Sequence, residues 1–379
     1  MTLSWSPCGA MVIYVPLSEP IAERQARPES VLHLVASQQR RGAETHASQL
    51  SSHLTQLGWD SKVASVSSQG SDELGVEPIG ADPLRSIPAL WRTLDSNGPD
   101  VVVAHGSSTL KVLAAGSIMR STPTVYRSIG DVPYWVGSSR RRDLTFRAMI
   151  GRMSAVVTLW DDAARVLSTD YGVDRHRMRT IPNAVDASAF AVVRSEERTA
   201  SRERLGVHGD ERVVVALGAL SPEKGFDTLL GAIALTSGTR LLVYGSGPLE
   251  AKLRHLVSSR RLPVSFMGVT DQPRSAFFAA DVLALPSRTE GQPAALIEAA
   301  LCGIPVAAAS VGGVPEMMSV IVGATFPAGD ERALVAALDA ASAQRDRALA
   351  ARDQVANHFS LDRQARSGDE LLRALVGQD

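Results

Sequence analysis

Short β-branched runs alternate with amphipathic stretches along most of the chain, beginning at Val31. In the first half, residues 31–36, 62–66, 101–104, 124–127, 155–159 and 178–181 read as strands. Their near-continuous apolar character is that of strands covered on both faces. Between them, apolar positions at helical spacing predict helices over 44–57, 84–94, 109–119, 141–150 and 162–171. The rhythm stops at 182–193, and the polar run 194–204 reads as a linker. It restarts with strands at 213–217, 240–244, 264–267, 282–284 and 306–309, separated by helices at 226–235, 249–258, 272–279 and 294–302.

This alternation predicts an α/β protein built from two Rossmann-like, doubly wound parallel-sheet domains, at 31–190 and 191–360. Residues 1–30 read as a solvated lead-in. Within 361–379, the apolar-periodic stretch 364–376 is placed to cross back to the first domain. Ligands of such sheets bind beyond the carboxyl ends of the strands, so a site is expected in the cleft where the domains face each other.

Composition narrows the classes. The 379 residues are 45% apolar and 21% charged, which suits two packed domains and excludes a disordered chain. A net charge of −1 gives no global attraction to nucleic acid or to an anionic membrane. Cys8 and Cys302 are the sole cysteines, so no disulfide framework is expected and a reducing, cytoplasmic setting is favoured. The apolar run at 10–17 is short, interrupted by Pro16 and preceded by no basic residue, and it reads as neither signal peptide nor span.

Candidate chemistry concentrates in the second half. After the strand at 213–217 comes Gly218-Ala219-Leu220-Ser221-Pro222-Glu223-Lys224-Gly225, leading into a helix. A strand-end glycine, a helix start and Lys224 together make a plausible phosphate cradle; a turn with a solvated lysine is the plain alternative. A second loop, Gly245-Ser246-Gly247-Pro248, follows the next strand on the same edge and is by itself ordinary turn chemistry. The most informative stretch is Glu290-Gly291-Gln292-Pro293-Ala294-Ala295-Leu296-Ile297-Glu298. Pro293 suits a helix's first turn, and the amides after Gly291 are placed to meet a pyrophosphate. Glu290 before the helix and Glu298 inside it could each hold vicinal hydroxyls. An acid within so apolar a helix argues against a merely solvated face.

In combination and order, these motifs resemble family 4 glycosyltransferases, retaining enzymes of the GT-B fold. The resemblance rests on L-S-P-E-K-G-F-D-T-L-L from Leu220, Y-G-S-G-P-L from Tyr244 and A-A-D-V-L-A-L-P-S from Ala279. The spacing E-G-x-P-x4-E from Glu290 to Glu298 and the G-G-V-P-E turn at 312–316 complete the second half. In the first half, Gly42-Ala43-Glu44 resembles the family's loop after strand one, and Ile181-Pro182-Asn183-Ala184-Val185-Asp186 its segment before the interdomain link. The likeness runs from about Val31 onward.

The resemblance implies a UDP- or GDP-linked sugar donor, no other cofactor and no metal ion. Lys224 would steady the leaving diphosphate, Glu298 would hold the ribose hydroxyls and Glu290 the donor-sugar hydroxyls. Donor contacts are implied along Gly218, Gly245, Gly247 and Gly291-Gln292-Pro293-Ala294. Gly42, Glu44 and His46 fall on the acceptor side, and His105 and Arg127 are candidate catalytic contacts at strand ends. No Asp-x-Asp pair occurs, and His46 and His53, seven residues apart on one helix, are too distant to share an ion. Three positions depart from the family pattern: Ala219 where an arginine is usual, Ile129 where a histidine is usual, and Arg41 for the first glycine of the acceptor loop.

Arg140-Arg141-Arg142, with Arg147 and Arg152, interleave with Leu144, Phe146 and Ile150 close after Tyr134-Trp135. Such a segment can touch the inner face of an anionic membrane or receive a lipid-phosphate acceptor; a surface helix with solvated arginines is the plainer reading. Sugar, lipid-linked and small-molecule acceptors remain open, and nucleic acid is not expected. Two rival functions stay in play: a non-catalytic nucleotide-binding partner of an active transferase, and a nucleotide-sugar epimerase of the same architecture. An NAD-dependent oxidoreductase lacks its G-x-G-x-x-G signature here.

Overall fold

All five positions of Val101–His105 are buried. Val101 and Val103 face one core layer, while Val102 and Ala104 face another, as the two-residue period of a strand covered on both sides requires. A computed structural model of the chain describes residues 28–39, 42–68, 74–94 and 98–377. Cys8, Arg41 and nearly all of the 1–30 lead-in lie outside the described residues.

The first sheet holds seven parallel strands: β1 (Ser30–Val35), β2 (Asp60–Ser65), β3 (Glu77–Pro78), β4 (Val101–His105), β5 (Thr124–Ser128), β6 (Ala155–Thr158) and β7 (Met178–Thr180). Their order is β3-β2-β1-β4-β5-β6-β7. The second holds six: β8 (Arg212–Leu217), β9 (Thr239–Tyr244), β10 (Val264–Gly268), β11 (Val282–Leu285), β12 (Val306–Ala309) and β13 (Gly323–Phe326). They are again parallel, in the order β10-β9-β8-β11-β12-β13. Each order reverses once, between β1 and β4 and between β8 and β11. These are the points where a doubly wound sheet opens a crevice for ligand.

Several elements differ from the sequence reading. The polar run at 194–204 is no linker but a helix, Ser195–Arg204, whose Arg198 and Arg202 both reach Asp281. Its helical signal is electrostatic rather than apolar, so hydrophobic periodicity passes over it. The short strands β3 and β13 and the helices Val132–Val136, Val314–Met317, Glu331–Ser342 and Arg345–His358 also lie outside the predicted elements. The stretch 272–279 forms only a 3₁₀ segment, Pro273–Phe277.

Two chain crossings join the domains side by side: the Val185 amide donates to the Phe359 carbonyl at 3.1 Å. Beyond the second crossing, helix Leu361–Val376 starts at an Ser360 cap whose hydroxyl accepts from the Arg363 amide. It packs against helix Gly42–Gln56, and its Ala365 and Leu372 share a core with Val31, Val101 and Val103 of the first sheet. Trp59 ties it further by donating its indole N–H to Asp369 Oδ1 at 2.7 Å.

Candidate active site

A cleft of about 1080 Å³ lies where the two sheet reversals face each other. From the first domain its wall includes Ala43, Glu44, His105 and Asp131; from the second it takes Glu223, Lys224, Thr289, Glu290 and Gly291.

The second-domain wall is made by two loops locked together. After β8 the chain turns through Gly218 (φ 154°), forms a 3₁₀ turn at Pro222–Lys224, and passes Gly225 in the left-handed region at φ 63°. A β-carbon on Gly225 would lie 2.1 Å from the Pro286 carbonyl oxygen, so only glycine lets the loop after β8 meet the loop after β11. Arg288 braces the same contact: its amide donates to the Glu223 carbonyl at 2.7 Å, and its guanidinium to the Pro222 carbonyl and to Asp227. The outcome is a fixed pair. Lys224 Nζ donates to Glu290 Oε1 at 2.6 Å, and Ser287 Oγ donates to the same oxygen at 2.6 Å. Glu290 is only 8% exposed, so its carboxylate depends on these two donors.

Glu298 is held differently. It is the fifth residue of helix Ala294–Leu301, beside the buried Leu296, Ile297 and Ala299, and its carboxyl accepts no hydrogen bond from a described residue. Burial pushes it up to about 7. The folded protein therefore holds this proton more tightly than the unfolded chain, whose ordinary value is near 4.5. Stability is expected to fall as pH rises from about 4.5 through about 7, and thermal melts of Glu298→Gln should lack that slope. A slope unchanged by the substitution would refute the assignment.

Several sequence-derived residues take other roles. Gln292 is not on the cleft wall: its Oε1 accepts from the Asn183 amide at 2.8 Å, and its carbonyl accepts from Asn183 Nδ2 at 2.7 Å. Arg127 is not on the cleft wall either. It is buried, donates from Nη2 to Asn183 Oδ1 at 2.9 Å and has no carboxylate partner among the described residues. Burial pulls it down to about 9, which leaves it charged at neutral pH. Arg127, Asn183 and Gln292 thus form a polar latch between the domains, joined by Glu316, which accepts from the Asp161 amide at 3.0 Å. Pro293 caps the helix in an extended conformation instead of opening its first turn, with Ala294 the first helical residue.

Gly245 gives its amide to the Gly268 carbonyl at 2.7 Å and so offers none to a phosphate. A β-carbon there would meet the Gly218 carbonyl oxygen at 1.9 Å, and one on Gly247 would meet the Leu220 backbone at 2.6 Å, so both positions need glycine for the loops to pack.

His46 is buried away from the cleft wall, and Gly42 begins its helix with Ala43 and Glu44 facing the opening. His105 does reach the wall, but its Nε2 pairs with His33 Nδ1 at 3.0 Å. Burial first, then neighbouring cationic groups, hold His105 and His46 well below the usual histidine range and His33 down to about 3. Burial thus favours the neutral form of His105, which meets the cleft as a hydrogen-bonding group. Among the described residues no three His, Cys, Asp or Glu side chains are arranged to hold a metal ion. Sequence reasoning assigned no role to Ser287, Arg288 or Asn183. Asn183 and Ser287 carried a signal, as parts of the quoted Ile181–Asp186 and Ala279–Ser287 segments; Arg288 carried none.

Two doubly wound domains enclosing a lysine–glutamate pair at facing sheet reversals define the class of GT-B glycosyltransferases. The chain belongs to the family 4 glycosyltransferases: residues 40–189 match the model described as Glycosyltransferase Family 4, and residues 211–344 the model described as Glycosyl transferases group 1. Among curated relatives it is 32% identical over 163 residues to a GDP-mannose-dependent monoacylated alpha-(1-6)-phosphatidylinositol monomannoside mannosyltransferase of Corynebacterium glutamicum, covering 40% of this chain and 43% of that one. It is 35% identical over 181 residues to the D-inositol 3-phosphate glycosyltransferase of Mycobacterium tuberculosis, covering 45% of this chain and 37% of that one. Each match thus spans less than half of the relative's length. In fold the chain is similar to HepE of Anabaena, solved in complex with UDP and glucose, with a TM-score of 0.77, 21% identity and 91% and 100% of the two chains covered. Sucrose-phosphate synthase from Thermosynechococcus elongatus gives a TM-score of 0.79 at 22% identity, covering 93% and 100%.

Proposed function

We propose that the protein transfers a sugar from a nucleotide-sugar donor to an acceptor hydroxyl, with retention of anomeric configuration and without a metal ion. The observation that carries this is the Lys224–Glu290 pair, set at the β8/β11 reversal and open to the cleft. As the bond between sugar C1 and the phosphate oxygen breaks, Lys224 leaves Glu290 for the diphosphate and neutralises the charge developing there. The N-terminus of helix Ala294–Leu301 adds a positive dipole end, so this chain supplies the charge a divalent cation supplies elsewhere. Glu290, released, accepts from donor-sugar hydroxyls, and Glu298 from the ribose. The acceptor hydroxyl attacks C1 from the side of the leaving group and passes its proton to the departing phosphate oxygen. Retention follows because attack and departure share one face.

UDP or GDP is the expected carrier. The two nucleotides occur with relatives and structural neighbours as UDP in the HepE complex and GDP-mannose in the mannosyltransferase's name. Calorimetric titration of UDP, GDP, ADP and dTDP in the presence of a chelator tests the reading. One nucleotide should bind saturably, and Glu298→Ala should weaken it about tenfold, the loss of a charge-assisted hydrogen bond. Affinity should also rise with pH through about 7, as Glu298 loses its proton. Failure of all four nucleotides to bind would end the donor-site reading, and a product of inverted configuration would end retention.

The non-catalytic alternative draws on Ile129, whose side chain packs with Leu159 and Trp160 and presents no polar group. Slow donor hydrolysis by the wild type would count against it. The buried, unpaired thiol of Cys302 suits the reducing cytoplasm. No helix among the described residues is long and apolar enough to cross a membrane.

A further inference from the structure

The first-domain lobe of the cleft has walls of two kinds. One is apolar, formed by Tyr126, Val132, Trp135, Val136, Phe146 and Met149. The other carries Lys111, Arg141 and Arg142. None of these three cations forms an ion pair with a described residue; the Arg142 guanidinium donates to the Trp135 carbonyl at 3.0 Å. Arg147, farther along the same helix, shows the contrast, being matched to Asp143 at 2.9 Å. Arg141 and Arg142 stand in the first turn of helix Arg140–Ile150, where the helix dipole adds to their charge. Arg127 contributes a further buried positive charge without a carboxylate partner among the described residues. The lobe's acids are Glu44, which accepts from Ser37 Oγ, and Asp131.

The apolar wall continues out of the cleft. Tyr134, Trp135 and Leu144 are 44%, 53% and 57% exposed. Half-exposed aromatic rings beside unpaired arginines match a bilayer interface, where rings sit at headgroup depth and arginines meet phosphates. A neutral polysaccharide would leave both the cations and the apolar wall unsatisfied.

We propose that the acceptor is a membrane-resident lipid bearing a phosphate. Its phosphate meets Lys111, Arg141 and Arg142, its chain runs out along Trp135 and Val136, and its hydroxyl-bearing head points inward to Lys224 and Glu290. This assignment rests on the transferase reading of the site.

The test uses vesicles of phosphatidylcholine with and without phosphatidylglycerol. The wild type should co-sediment with the anionic vesicles alone, and Arg141→Glu should weaken this about tenfold, as charge reversal near an anionic surface predicts. Lys111→Glu, on a separate helix, should do the same and guards against a local folding defect in either variant. Vesicles with brominated acyl chains should quench wild-type tryptophan fluorescence, and Trp135→Phe should lose most of that quenching. Undiminished vesicle binding by both charge variants, or equal quenching with Trp135→Phe, would overturn the proposal. So would release of the protein by soluble glycerol 3-phosphate at matched phosphate concentration, which would identify a site for free anions. Nucleoside diphosphate binding, measured on the same proteins, reports separately on the donor site, so the two readings fail in different assays.

Discussion

Lys224→Ala should lower single-turnover sugar transfer by about 10³-fold, the loss expected when one donor to a developing anion is removed. Among the described residues that line the cleft, Lys224 is the only cation from the second domain, so nothing there takes its place. The same change leaves Glu290 with Ser287 as its remaining donor while still 8% exposed. A stability loss of about 1–3 kcal/mol should follow from that unmatched carboxylate. The double variant Lys224→Ala with Glu290→Gln separates the effects, since it removes the stranded charge and should melt closer to wild type while remaining inactive. Transfer by Lys224→Ala within tenfold of wild type would show that the diphosphate is stabilised elsewhere.

The second large effect is steric. A β-carbon on Gly291 would sit 2.0 Å from the Ile129 carbonyl oxygen, which belongs to the backbone of the other domain. A flexible side chain could move aside; a carbonyl at the end of β5 cannot, so the domains must separate. Displacement of reacting groups by about 1 Å costs on the order of 10²-fold in rate. Gly291→Ala should lose that much transfer and weaken nucleotide binding by less, because the nucleotide contacts proposed above belong to the second domain alone, whereas transfer needs both domains. Small-angle scattering should show a larger radius of gyration. Unchanged transfer and dimensions would mean that the approach of Ile129 to Gly291 is not part of the working state.

The strands that carry the site were legible because their signals are local. Val101–His105 and Val282–Leu285 announce themselves by apolar runs, and Glu290 to Glu298 by a local motif that resembles the family's. What escaped depends on contacts across hundreds of residues or between domains. Gln292 looks like a ligand contact until Asn183, 109 positions away, is brought against it. Arg127 and His105 lie side by side on neighbouring strands as expected, yet their partners, Asn183 and His33, are brought to them only by the fold. Helix Ser195–Arg204 hid because its partner is an aspartate, Asp281, and not an apolar face. Strand β13, Gly-Ala-Thr-Phe, has little strand character of its own; only glycine fits at 323, where a β-carbon would lie 2.0 Å from the Val306 carbonyl oxygen of β12.

Helix Leu361–Val376 sets the order in which the chain can be assembled. Ala365 and Leu372 complete a layer begun by Val31, Val101 and Val103, with the whole second domain lying between them in sequence. On the ribosome, synthesis proceeds from the N-terminus, so the earlier domain waits with one face of its sheet only partly covered, by Leu50 and Leu54 of its own helix, while the later one emerges and folds. The domain made first is thus the last to be finished, and that open face is what a chaperone would have to shield in the nascent chain.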